Sequence, residues 1–169
     1  MNDDIALGIA ANLAKRFEGC RLTAYWDEFG KVWTVGWGAT GPDVKEGTTW
    51  SQQHADYRLL QRLSMDFARV KATWPGADRL HPKAQASLID LAYNRGTSLT
   101  KRASDALDRR REMRELQPAV VKRDYAEMAF LHRSMKRIWA GQSMAGLLKR
   151  CDARAQLCDE ALIESRGAR

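Results

Sequence analysis

The sequence predicts an α+β fold that is mostly helical. Two observations carry this prediction: apolar residues recur at helical spacing along most of the chain, while aromatic and β-branched residues concentrate in one short segment. We expect a single domain spanning residues 1–169. Its sheet lobe would occupy about residues 18–50, and its helical lobe would comprise about residues 75–169 together with the N-terminal helix.

The first helix is predicted from about Asp3 to Phe17. Apolar residues recur every four positions and share one helical face: Ile5, Ile9, Leu13 and Phe17. Acids precede this run where a signal peptide would carry positive charge, and the run is too short to span a bilayer. We therefore expect neither a targeting segment nor a transmembrane span.

The segment from Arg21 to Thr40 predicts a small antiparallel sheet. It is rich in aromatic and β-branched residues, which favour strands, and its stretch "DEFGK" has the composition of a turn. Three tryptophans in the segment could stack on a sugar ring or pack between lobes: Trp26, Trp33 and Trp37.

The chain after the loop "TGPDVKEGT" predicts helices. Thr49 or Ser51 can cap a long connecting helix that ends near "TWPG". We expect one apolar face on it, formed by Tyr57, Leu60, Leu63, Phe67 and Val70. The stretch "HPKAQASLIDLAYN" is apolar nearly throughout and predicts a central helix with Pro82 in its first turn. We then expect a charged surface helix over "SDALDRRREMREL" and amphipathic helices over "AVVKRDYAEMAFLHRSM" and "AGLLKRCDARAQLCDEALI".

Composition limits the classes of partner and cofactor. The formal net charge of +7 favours an anionic partner, but no element for reading a nucleic-acid groove is present. The basic cluster "KRASDALDRRREMR" predicts a solvated face, or alternatively a contact with the anionic cell wall or outer-membrane lipopolysaccharide. The histidines lack metal-ligand spacing, and no phosphate-binding or dinucleotide glycine motif occurs, so we expect no metal and no cofactor. The odd count of three cysteines predicts free thiols.

Two acids flank the start of the predicted sheet. Glu18 follows an apolar helix face, whereas Asp27 lies in a polar turn. Acid–base cleavage of a glycosidic bond needs one carboxyl group that is protonated and one that is ionised, which apolar and solvated settings respectively favour. The hydroxyl of Thr34 could hold a nucleophilic water. A solvated hairpin explains the pair of acids equally well, so the pattern alone does not decide.

Longer motifs add a resemblance that spans nearly the whole chain. "EGCRLTAYWD" followed by "TVGWGAT" closely resembles the signature of glycoside hydrolase family 24, the phage-type lysozymes or endolysins. "LIDLAYNRGTSL" is similar to the central helix and following turn of that family. "SMKRIWAGQSMAGLLKR" is similar to its C-terminal region. The resemblance implies a lysozyme-like fold in which a cleft separates the two lobes.

The resemblance also implies roles for individual residues. Glu18 matches the general acid, Asp27 the second carboxylate, and Thr34 the threonine that positions the attacking water. Arg150 matches an arginine that reaches back to the catalytic glutamate. Five residues would contact the substrate, three lining the cleft and two following the central helix: Gly36, Trp37, Gly38, Asn94 and Arg95.

The spacing between Asp27 and Thr34 departs from the family pattern. Six residues separate them, where five are common. A slip of one residue turns a strand's side chains to the other face. We therefore expect a bulge in the "EFGKV" turn that lets Thr34 face the cleft.

These observations predict an endolysin muramidase. It would hydrolyse the β-1,4 bond between N-acetylmuramic acid and N-acetylglucosamine in peptidoglycan, as a monomer released from the host cytoplasm to the periplasm through a holin-like pore. Inversion or retention would depend on whether the carboxyl groups lie about 6.5–9.5 Å or about 5 Å apart. The alternatives are a lytic transglycosylase, a non-catalytic wall-binding protein and a membrane-disrupting protein.

Overall fold

The computed structural model describes residues 2–167, and within them six α-helices accompany one two-stranded antiparallel sheet. This confirms the mostly helical α+β prediction. The elements follow in the order α1 (Asn2–Phe17), β1 (Arg21–Asp27), β2 (Val32–Gly36), α2 (Gln52–Thr73), α3 (Pro82–Arg95), α4 (Arg111–Lys122), α5 (Tyr125–Ser134) and α6 (Ala145–Gly167). Short 3₁₀ helices lie at Ala77–Arg79 and Met135–Trp139.

Helix α3 is the centre of the fold. It packs against α1, α2 and α6, and every residue from Ala84 to Ala92 is buried. Pro82 lies in its first turn, where the missing backbone N–H costs no hydrogen bond. Within residues 2–167, no helix is long and apolar enough to cross a membrane.

Helix α2 begins as predicted but buries a different face. Ser51, rather than Thr49, is its cap, and the Ser51 hydroxyl accepts a hydrogen bond from the His54 backbone N–H at 3.1 Å. Tyr57 and Leu60 are exposed, so their assignment to the buried face was wrong. The side chains that pack inwards are Ala55, Leu59, Leu63, Asp66, Phe67 and Val70. The buried stripe runs through Leu59, and Leu60 lies about 100° around the helix from it.

The helices after α3 are divided differently from the prediction. Helix α4 starts only at Arg111 and continues through Pro118. It ends where Arg123 adopts the left-handed conformation, with φ of 53°. Asp124 then caps α5, because its carboxylate accepts a hydrogen bond from the Glu127 N–H at 3.0 Å. This cap splits the predicted helix over "AVVKRDYAEMAFLHRSM" into parts of α4 and α5.

The hairpin has a regular register next to its turn. Asp27 pairs with Val32 and Tyr25 pairs with Thr34, so these four side chains share one face of the sheet. The expected bulge in the turn is therefore wrong. Residues 28–31 close directly onto the last strand pair, with Lys31 in the left-handed region at φ of 52°. The irregularity lies further along, between Arg21 and Tyr25.

Candidate active site

Glu18 lies at the end of α1, where its backbone N–H donates to the Ala14 carbonyl at 2.9 Å. One carboxylate oxygen accepts a hydrogen bond from Nη1 of Arg150 at 2.6 Å. The side chain of Arg150 is 3% exposed and that of Glu18 is 31% exposed. The contact between them joins residues 132 positions apart. The structure thus places Arg150 against Glu18, as the sequence resemblance implied.

A buried aspartate holds Arg150 from behind. Asp90, which is fully buried, accepts hydrogen bonds from Nε and Nη2 of Arg150 at 3.0 and 2.7 Å. It also accepts one from Nε of Arg154 at 2.6 Å, and Arg154 donates to the side-chain oxygen of Asn94 at 2.8 Å. Burial alone would raise the pKa of Asp90, but the two guanidinium groups outweigh burial and hold this pKa below its ordinary value.

Two aromatic rings enclose the guanidinium group of Arg150. Its centre lies 5.6 Å from the ring of Phe17 and 5.7 Å from the ring of Tyr93. The Tyr93 hydroxyl donates to the carbonyl of Trp37, which ties α3 to the loop after β2. Burial and the nearby charge of Glu18 raise the pKa of Tyr93, so the phenol stays neutral.

Glu18, Asn94 and Arg150 line one cavity of about 340 Å³. Phe17 and residues 143–147 complete its wall. Three of the predicted site residues therefore meet at one concave surface, one directly after α1 and the others from α3 and α6. Within residues 2–167, Arg150 makes the only hydrogen bond to the Glu18 carboxylate, which leaves the second oxygen available to a ligand.

Asp27 is held by its own turn. One carboxylate oxygen accepts a hydrogen bond from the Phe29 backbone N–H at 2.9 Å. The other lies only 3.0 Å from the point where a side chain at Gly30 would begin. Thr34 lies on the same sheet face but is buried, and its hydroxyl donates a long bond of 3.4 Å to the Val32 carbonyl.

Trp37 and Gly38 line a second, larger cavity of about 740 Å³. Its other walls are Tyr93 and one side of α2, including Tyr57, Arg58 and Arg62. None of the residues that line it is acidic. The cavity therefore presents aromatic surface beside two guanidinium groups, each of which is already paired with an acidic side chain outside the cavity. Its aromatic surface fits a ligand with an apolar face.

Gly36 and Arg95 line neither cavity. Gly36 has a φ of 63°, and a Cβ there would lie 3.1 Å from the Trp50 ring. The Arg95 side chain donates to the Arg109 carbonyl and lies 5.3 Å from the Trp139 ring centre. Burial and then the charge of Arg110 lower the pKa of Arg95 to about 10. For both residues the geometry favours a structural role over the predicted substrate contact.

Sequence reasoning missed Asp90, Tyr93 and Arg154. A signal for Asp90 was present, because a lone acid in the apolar run "LIDLAYN" must find a partner if it is buried. Arg150 and Arg154 lie four residues apart on α6 and so face the same side. Within residues 2–167, no group of three or more potential ligand side chains is placed to hold a metal ion.

The phage lysozyme family model matches residues 15–154. The endolysins of Lactococcus phages c2 and phivML3 are each 39% identical to this chain over 89 residues. That match covers 50% of this chain and only 37% of each relative's length.

Two solved structures are similar across most of the chain. The active form of the P1 phage endolysin Lyz has a TM-score of 0.70 at 21% identity, covering 91% of this chain and 84% of that one. The muramidase domain of SpmX from Asticaccaulis excentricus has a TM-score of 0.65 at 19% identity, covering 88% of this chain and 93% of that one. At these identities the likeness shows the shared lysozyme-like fold.

Proposed function

Because the chain belongs to the phage lysozyme family, we propose that it is an endolysin muramidase that hydrolyses the β-1,4 bond between N-acetylmuramic acid and N-acetylglucosamine in bacterial peptidoglycan. One observation carries the proposal. The Glu18 carboxylate is fixed by Arg150 at the wall of a cavity, while its second oxygen makes no hydrogen bond within residues 2–167. The fixed position and the free oxygen suit a general acid, because such a group must reach the leaving oxygen of the substrate from a defined place.

In the proposed reaction, Glu18 protonates the leaving glycosidic oxygen. Asp27 activates a water molecule or stabilises the developing positive charge on the sugar. Their different surroundings favour this division of roles, since Glu18 borders Phe17 and the helical lobe whereas Asp27 ends β1 next to an exposed turn. Thr34 would help to hold the water, and its place on the Asp27 face of the sheet is consistent with that role.

The proposed substrate contacts involve both cavities. Trp37 and Gly38 would border the glycan in the larger cavity, and Asn94 would contact it in the smaller one. The aromatic surface of Trp37 suits the apolar face of a sugar ring. The net charge of +7 favours binding to the anionic wall.

The decisive experiment compares Glu18→Gln with Glu28→Gln on purified peptidoglycan. Glu28 is a matched control, because it is an exposed acid beside Asp27 whose partner is Lys31 at 2.8 Å. We expect Glu18→Gln to lower the release of reducing ends by about 10²–10⁴-fold, the usual contribution of a general acid. Glu28→Gln should retain wild-type activity.

Other outcomes would overturn the proposal. A folded Glu18→Gln variant with full activity would remove Glu18 from the reaction. Wild-type protein that binds walls without releasing fragments would be a wall-binding protein. Mass analysis of the products separates hydrolysis from transglycosylation, because 1,6-anhydro ends would identify a lytic transglycosylase.

We further propose that the protein acts as a monomer in the periplasm after leaving the host cytoplasm through a holin-like pore. Family membership supports this route, and the positive charge favours an additional contact with lipopolysaccharide. Expression in a Gram-negative host with and without a pore-forming partner tests the route. Lysis that does not depend on the pore would contradict it.

A further inference from the structure

We propose that Asp90 is a positioning residue for the reaction of Glu18: it orients Arg150 and sets how much positive charge Glu18 experiences. The inference rests on the proposed function, since it assigns a role within that reaction. It is carried by the geometry of a buried cluster, here called the Asp90 cluster, which consists of Asp90, Arg150 and Arg154.

Asp90 fixes the direction of Arg150. The aspartate engages Nε and Nη2 of the guanidinium group, which leaves Nη1 as the nitrogen that points to Glu18. Two-point contact of this kind fixes the plane of a guanidinium group as well as its position. Phe17 and Tyr93 enclose the same group, so Arg150 has one orientation available to it.

Asp90 also determines the charge behind Glu18. Asp90 contributes −1 and the two arginines contribute +2, so the Asp90 cluster carries a net charge of +1. All three side chains are buried, and buried charges are weakly screened by solvent. Removal of the Asp90 charge would leave +2 and favour ionised Glu18. Removal of the Arg154 charge would leave 0 and favour protonated Glu18.

The other groups around Glu18 do not obscure this effect. Tyr93 of α3 is neutral, because its pKa is raised. Arg16 of α1 stacks on Phe17, and Lys15 is paired with Asp56 of α2 at 2.9 Å. The remaining wall of the cavity, at residues 143–147, carries no charged side chain. On the hairpin side, Asp27 belongs to the reaction itself and is unchanged in every variant below.

The test is the pH dependence of kcat/KM on solubilised peptidoglycan for wild type, Asp90→Asn and Arg154→Gln. A general acid must be protonated, so activity falls as the pH rises and Glu18 loses its proton. We expect Asp90→Asn to shift this descending limb to lower pH by about 1 unit, and Arg154→Gln to shift it to higher pH. Opposite shifts from two neighbouring substitutions would not follow from a general loss of structure.

Glu112→Gln is the matched control. Glu112 is also a fully buried carboxylate held by arginine, but its partners are Arg111, Ser134 and Arg137. We expect it to lower thermal stability without moving the pH profile. If Asp90→Asn does not fold, the pH profile of kcat/KM for Arg154→Gln tests the proposal, because that variant keeps the contact between Asp90 and Arg150.

The outcomes separate the two proposals. An inactive wild-type protein would overturn the proposed function. An active wild type with folded variants whose pH profiles superimpose on it would overturn the role of Asp90 alone. A double variant, Asp90→Asn with Arg154→Gln, has the wild-type net charge of the cluster, and the asparagine side-chain oxygen still offers Arg150 an acceptor. It should therefore return the descending limb to within about 0.3 unit of wild type. A limb that stays displaced would contradict the charge argument.

Discussion

Glu18 and Asp27 lie nine positions apart in the sequence, yet different regions of the molecule hold them. The Glu18 carboxylate is fixed by Arg150, which in turn depends on Asp90 of α3. The Asp27 carboxylate is fixed by a backbone N–H only two residues away. One acid is therefore positioned by the packed helical lobe and the other by a local turn.

Because of this difference, substitutions that disturb the position of Glu18 should also lower stability, whereas substitutions that disturb the position of Asp27 should not. Changes in the Asp90 cluster disturb buried charges, which are costly to leave without partners. Changes in the hairpin turn disturb half-exposed groups and should affect the chemistry more than the fold. The three predictions that follow test this contrast, from the largest expected change in stability to the smallest.

Arg150→Met should produce the largest loss of stability. Within residues 2–167, it leaves the buried Asp90 with Arg154 as its only ionic partner. The loss of the Arg150 hydrogen bonds to this buried carboxylate should cost about 3–5 kcal/mol of unfolding free energy. For a chain of this size, that loss corresponds to a decrease in Tm of about 6–20 °C. Urea and thermal unfolding measure the effect, and a loss below about 1 kcal/mol would show that the cluster does not hold the helical lobe together.

His132 should make the helical lobe sensitive to acid. It is fully buried on α5, and its Nε2 lies 3.1 Å from the Ser87 hydroxyl. Burial and then the charge of Arg154 lower its pKa to about 3. Between an unfolded pKa of about 6.5 and this value, the unfolded chain binds a proton that the folded protein does not, so stability falls as the pH falls.

The loss of unfolding free energy due to His132 amounts to about 1.5 kcal/mol between pH 6.5 and pH 5. Urea unfolding of wild type and His132→Gln at both pH values measures it. We expect the variant to lose less stability over this interval, whatever its stability at pH 6.5. Equal losses in the two proteins would show that His132 does not control the acid response.

Gly30→Ala should affect chemistry with little effect on stability. The added Cβ would lie 3.0 Å from Oδ2 of Asp27 and 3.3 Å from Cγ1 of Val32, so the carboxylate must move. We expect kcat to fall about 3–10-fold, while the unfolding free energy changes by less than about 1 kcal/mol. Gly8→Ala is the control, because its Cβ would have no neighbour within 4 Å. Unchanged kcat in Gly30→Ala would argue against a catalytic role for Asp27.

The sequence was sufficient to predict the features that depend on residues close to one another along the chain. The hairpin, the Ser51 cap and the position of Pro82 in α3 follow from local preferences and short spacings. The family resemblance predicted that Arg150 reaches Glu18 although the two lie far apart in the sequence, and the structure shows them in contact.

Other features depend on packing that no short window reveals. The apolar side chains of Tyr57 and Leu60 lie beside the buried stripe of α2, and only the position of the neighbouring helices decides which face is covered. Arg95 was expected to contact a ligand because it ends the central helix, and its Nη2 donates to the Arg109 carbonyl, a contact that no short stretch of sequence reveals. The Asp90 cluster likewise needs α3 and α6 side by side before its charges can meet.

The separation of 132 residues between Glu18 and Arg150 has a consequence for the timing of synthesis. At about 5–20 residues per second, a ribosome adds Arg150 roughly 7–26 s after Glu18. During that interval the nascent chain already contains α1, the hairpin and α2, but the guanidinium group that fixes Glu18 does not yet exist. Completion of the Glu18 contact therefore has to wait until α1 to α5 and the start of α6 have been made.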